Sequence, residues 1–101
     1  MTVDQQIRFA ITSRHLIRVR YHGRDRVAEP HDYGRYKKID RLLVYQLSAP
    51  VGPGEQSRDG WRLLDIAKIE IVKVLEETFA GSRGPAHDRH LQWDEVYARV
   101  D

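Results

Sequence analysis

The run GWRLLDIAKIEIVKVL, from Gly60 to Leu75, holds the densest apolar patterning in the chain and restricts its fold more than any other stretch. Period-two alternation puts Trp61 and Leu63 on one face of a first strand and Arg62, Leu64 and Ile66 on the other, and a second strand follows from Ile69 to Leu75. Only Ala67 and Lys68 lie between them. So short a join carries a basic side chain to the end of an apolar strand, a place where rigid scaffolds present ligand-contacting groups.

The remaining segments supply partners for that pair. Thr2 to Arg14 reads as a helix with Val3, Ile7, Ala10, Ile11 and Arg14 at helical spacing, and Thr2 with Gln5 forms a capping-box pattern with Asp4 beside the dipole. Leu16 to Tyr21 then alternates as a strand, with Ile17, Val19 and Tyr21 on one face and Leu16, Arg18 and Arg20 on the other. His22-Gly23 turns the chain into a polar strand from Arg24 to Glu29 that stops at Pro30, a residue expected at an edge or a bend. A weak strand from His31 to Tyr36 and a Lys37-Lys38 turn lead into Arg41 to Leu47, RLLVYQL, whose two faces are both largely apolar. Ala49 to Gly60 combines Pro and Gly with polar residues and is expected to be a mobile loop from about Val51 to Asp59. Near the end, Trp93, Val96, Tyr97 and Val100 have helical spacing, so Leu91 to Val100 reads as a short C-terminal helix docking back.

With 101 residues the chain has enough material for one modest core. A leading helix and five or so short strands in that length point to a mainly β fold, a small, strongly bent β-barrel, because closure removes exposed strand edges. Residues 1–79 would form the helix-plus-barrel domain and 80–101 an extension docking on it. The expected core is Ile17, Val19, Leu43, Tyr45, Leu63, Ile69 and Ile71, covered by Ile7 and Ile11 of the helix.

Charge excludes a strongly basic protein: 17 Lys+Arg stand against 15 Asp+Glu, so any anion site depends on local clustering. The absence of cysteine excludes disulfides and thiolate metal sites and fits a reducing cytoplasm. No apolar run reaches membrane-spanning length and no signal-peptide core opens the chain.

The succession IRFAITSRHLIRVRYHGRDRVAEPHDYG, RLLVYQL and GWRLLDIAKIEIVKVLEETF resembles the WYL-domain family over about Ile7 to Phe79. Tyr21, Arg26, Glu29 and Pro30 match its opening motifs, and Lys68-Ile69 stands where the family has Arg-Ile. The namesake Trp-Tyr-Leu falls on Arg41, Leu42 and Leu43, so the leucine alone is kept. The resemblance implies an Sm-like (SH3-like) barrel behind a helix, used in bacteria as a stand-alone or fused module for transcription regulation that binds nucleic acid or a nucleotide.

Read from the residues, the candidate ligand surface is Arg18, Arg20, Arg26, Arg41, Arg62 and Lys68, with Tyr21, Tyr33, Tyr36 and Trp61 as stacking faces. Cations along phosphates with aromatic faces under bases is how single-stranded nucleic acid is held. The same cations also fit a solvated sheet face paired with Asp25, Glu29, Asp40, Asp65 and Glu70. Signs of catalysis are poor. His87 and His90 form an H-x-x-H pair in a Gly/Pro-rich region without a third ligand, GPGEQS lacks the Lys-Ser/Thr ending of a phosphate loop, and Asp65 and Glu70 have no nucleophile beside them. The expectation is a non-enzymatic regulatory module without cofactor or metal. The alternative is a protein-interaction or homo-oligomerisation module that uses strand edges and the Trp93/Tyr97 segment.

Overall fold

A computed structural model describes residues 1–47, 59–84 and 91–101. The helix α1, Val3–Ser13, begins with the capping box expected of it: the Gln5 amide donates to Thr2 Oγ1 at 3.1 Å and the Thr2 amide donates to Gln5 Oε1 at 2.9 Å. It ends where Arg14 enters the left-handed region, with φ 57. Among the described residues six strands follow: β1 His15–Tyr21, β2 Arg24–Tyr36, β3 Ile39–Leu47, β4 Gly60–Asp65, β5 Ile69–Thr78 and β6 Glu95–Arg99.

They form one open antiparallel sheet in the order β4-β3-β2-β1-β5, with β6 also on β2. β4 and β5 stand at opposite ends of that order, yet only a 3-10 turn, Ile66–Lys68, joins them. The sheet therefore has to curl until its outer strands meet at one end, and there the Asp65 amide donates to the Tyr21 hydroxyl at 3.2 Å.

β2 organises the sheet. Its first half pairs with β1 up to Ala28 and its second half with β6 from Asp32, while β3 runs along nearly its whole length on the other side. Pro30, expected to end a strand, lies instead inside this one. It falls where β1 has stopped, where β6 has not begun and where the register with β3 shifts, so the ladder demands least of it there. The turn between β2 and β3 gives both Lys37 and Lys38 positive φ, 51 and 67, the geometry that matches the twist of a two-residue hairpin. At Gly34 a side chain would run into the Glu95 carbonyl, so glycine is what lets β6 come this close to β2.

The concave face carries the core: Ile7, Ala10 and Ile11 of α1 over Ile17, Val19, Tyr21, Ala28, Tyr33, Leu42, Val44, Leu64, Val72 and Val100. Of the core positions read from sequence, Ile17 and Val19 are buried in this core and Ile69 packs against it half-buried. Leu43, which is buried, and Tyr45 and Leu63, which are half-buried, are a correction: alternation along β3 and β4 sends Leu42, Val44 and Leu64 into the core and these three to the opposite face. Ile71 is a correction: it is 56% exposed. A register shift pairs Tyr21 with Ile69 but Arg20 with Ile71, so one extra β5 residue turns Ile69 toward the core, Ile71 outward and Val72 in.

The C-terminal helix is also corrected, because residues 95–99 are the strand β6. So short a segment fits either period, and the free edge of β2 together with the β-forming Val96 and Tyr97 decides for a strand. Of the loop expected from about Val51 to Asp59, all but Asp59 falls outside the described residues, and Gly60, placed at its end, opens β4.

Candidate functional site

The sheet distributes the eight candidate residues over four places. Arg26, Arg62 and Tyr21 share the concave face with the core. Ala28, Gln46 and Gly60 lie opposite one another across β2, β3 and β4, and Arg26 and Arg62 stand two positions from that row on opposite sides of it. The Arg26 guanidinium donates from Nη1 to Gln46 Oε1 at 3.1 Å and stands 5.6 Å from the centre of the Tyr21 ring. Arg62 folds back on its own strand: Nη1 donates to the Trp61 carbonyl at 2.8 Å and lies 3.0 Å from where a side chain on Gly60 would begin. Gly60 thus leaves room for a guanidinium beside Gln46. Tyr21 is buried and acts as the wall of this end rather than as an open stacking face.

Arg26 is the unusual member. It is half-buried, its Nε is shielded without a hydrogen-bond partner, and among the described residues no carboxylate lies within 4 Å of it. A partly desolvated guanidinium served by a neutral amide and a ring face is favourable ground for an anion.

The other candidates are arranged differently. Arg41 and Lys68 converge on one carboxylate, with Arg41 Nε 3.2 Å and Lys68 Nζ 3.4 Å from Asp65, so both cations are acid-paired, Lys68 in solvent and Arg41 largely shielded. Arg18 and Arg20 are exposed on the opposite face of β1; Arg20 is 3.9 Å from Glu70 and Arg18 lies opposite Lys73 of β5. Trp61 faces the same convex side as Tyr45, with ring centroids 5.3 Å apart, and meets His31 edge-on at 4.8 Å. Tyr33 is buried in the core and Tyr36 packs against Trp93 at 5.8 Å.

That convex side holds a polar cluster the sequence reading did not single out. Glu29 and His31 are buried, His31 Nε2 lies 3.2 Å from Glu29 Oε1, and Arg83 donates to both Glu29 oxygens at 2.8 and 2.9 Å. The Arg83 guanidinium carbon is 3.5 Å from the Tyr45 ring centre. The hydrogen-bonded Glu29 carboxylate holds the Arg83 pKa above its ordinary value. Charged residues on either side of Pro30 inside a buried strand were the available signal; nothing in the sequence marks Arg83.

A third network ties α1 to the sheet. The Tyr33 hydroxyl donates to Asp4 Oδ1 at 2.8 Å and Arg8 Nε donates to both Asp4 oxygens at 3.1 and 3.0 Å. Tyr33 and then Arg8 lower the Asp4 pKa, while burial and then the Asp4 hydrogen bond raise that of Tyr33. A depressed carboxylate stabilises the fold above its unfolded value of 3.8 and loses that contribution as pH falls. Between pH 5 and about 3 the urea midpoint of the parent is therefore expected to fall more steeply than that of Asp4→Asn, by a small margin because Asp4 is 47% exposed. Parallel curves would show that this hydrogen-bonded carboxylate does not hold the helix. Tyr33 acts in the other direction, its contribution being present below pH 10 and lost as pH rises.

Among the described residues no group of three or more His, Asp or Glu could hold a metal ion, and His87 and His90 lie outside them. No helix among the described residues is long and apolar enough to cross a membrane. No family model, curated protein or solved structure matches the chain.

Proposed function

We propose that this chain is a non-enzymatic regulatory module that binds a nucleotide-like anion, or the phosphates of single-stranded nucleic acid, on its concave face around Gln46, between Arg26 and Arg62. The observation that carries the reading is Arg26, a half-buried guanidinium with a shielded, unpartnered Nε and no described carboxylate within 4 Å. Arg62, across Gln46, supplies the second cation. An Sm-like closure of the curled sheet, and membership of the WYL family, belong to this proposal and rest on the motifs quoted above.

The test is fluorescence anisotropy with short single-stranded oligonucleotides at two salt concentrations. Arg26→Gln is expected to weaken binding about 10- to 100-fold, the worth of a charged hydrogen bond, and to lower the log–log salt slope by about 0.7 for each phosphate that is no longer neutralised. Arg41→Ala with Lys68→Ala should have a smaller effect, since Asp65 already neutralises part of their charge. Equal binding by Arg26→Gln and the parent removes the reading. The competing reading, self-association through a strand edge, draws on Ile71, which is 56% exposed on β5. Sedimentation of the free protein as a concentration series separates the two.

A further inference from the structure

The convex cluster has the composition of a receptor for a flat, forked cation. Glu29 presents two carboxylate oxygens, Tyr45 presents a ring face, and His31 and Trp61 line the side. A guanidinium satisfies all of these at once, because its paired N–H groups match a carboxylate and its plane stacks on an aromatic ring, whereas an ammonium does neither. The group found there belongs to the chain itself. Arg83 reaches the site from a segment outside any strand, between β5 and β6.

Two observations separate this pairing from an ordinary structural ion pair. The Arg83 side chain is 33% exposed while that of Glu29 is 11% exposed, so the acid is fixed in the wall and the cation approaches from solvent. The segment is also pinned beside Arg83: at Gly81 an added side chain would begin 2.6 Å from the Asp101 carbonyl, and the Ser82 amide donates to that same carbonyl at 2.9 Å. Beyond Arg83, Gly84 has φ +58 with nothing within 4 Å of where a side chain would begin, and its amide donates back to Ser82 Oγ at 3.2 Å. The arginine is carried on a short arm with a fixed base. Because a shielded carboxylate without a cation is costly, the site tolerates exchange of one guanidinium for another far better than vacancy.

We propose that the Glu29–Tyr45 pocket is a guanidinium-binding site, filled in this conformation by the chain's own Arg83 and able to accept the arginine of an external ligand when that side chain swings out. The external guanidinium belongs either to free arginine or to an arginine within a peptide. The pocket lies on the opposite face of the sheet from Arg26 and does not depend on the anion site.

The experiment uses the full chain with Trp93→Phe, which leaves Trp61 as its one tryptophan, and titrates N-methylguanidinium against Trp61 fluorescence and melting temperature. Arg83→Ala is expected to bind at least 10-fold more tightly than the parent and to gain a saturable rise of about 4 °C or more. Methylammonium should give no such rise, and Glu29→Gln combined with Arg83→Ala should abolish it. L-Arginine and the peptide Gly-Arg-Gly then distinguish the two sources by which binds more tightly. Should Arg83→Ala fail to fold, Arg83→Lys carries the test, since it keeps a cation in the pocket but loses the fork. Equal affinities in variant and parent, an effect that survives Glu29→Gln, or no saturable response in either Arg83 variant overturns the proposal.

Discussion

Replacing Leu42 with alanine is expected to remove about 2–5 kcal/mol of stability, the range for a buried leucine whose neighbours cannot close the gap. Leu42 is fully buried on the concave face and lies between Tyr33 of β2 and Leu64 of β4, both also buried. Those neighbours sit on ladders fixed along both sides of β3, so the sheet cannot collapse into the cavity. Against the roughly 5–15 kcal/mol that holds a domain of this kind together, such a loss is large. Urea unfolding followed by circular dichroism reads it as a shifted midpoint at constant slope. Ile71→Ala is the control, expected within about 0.5 kcal/mol because the side chain is mostly in water. A Leu42→Ala loss below half a kcal/mol would displace the core from where the structure has it.

Glu29→Ala should cost nearly as much for a different reason. The substitution strips Arg83 of both its carboxylate acceptors and leaves the buried His31 ring nitrogen without this partner. Breaking one side of a buried pair costs about 3–5 kcal/mol, and because Arg83 is 33% exposed water recovers part of it, so about 2–3 kcal/mol is expected. The double variant Glu29→Leu with Arg83→Leu should regain a substantial part, since it removes the stranded charge along with its partner. If the double variant is as unstable as the sum of the singles, Glu29 and Arg83 do not act as a pair.

Much of the backbone could be read from the residues. The capping box at Thr2 and the alternation in β1, β3, β4 and β5 place those elements within a few residues of where they lie, because each is decided by interactions close in sequence. β6 escapes such a reading because its state is decided by something remote, the free second half of β2. The phase of β5 escapes it because a single inserted residue opposite Tyr21 leaves no trace in composition. For the site, alternation correctly separates Arg62 from Trp61 and Tyr21 from Arg20. It does not say which strands are neighbours, and so it gathers Arg18, Arg41 and Lys68 into one surface that the sheet divides. Arg83 is beyond its reach, since it meets a residue 54 positions away from a segment with no periodicity.

The division of β2 between two partners on one edge also bears on how the chain assembles in time. β1 with β2, β2 with β3 and β3 with β4 are joined in chain order, and the first two are tight hairpins that can zip without waiting for the rest. β5 and β6 have no such start. β5 must bring Leu75 to His15 across 60 positions, and β6 must bring Arg99 to Asp32 across 67, so each meets a closure entropy that is repaid only after its ladder forms. Until β6 arrives, Asp32–Arg35 is an open template inside the longest strand, able to pair with the same segment of another nascent chain. β6 thus acts as a stopper for this half of β2, and the open template there closes only when β6 has been made.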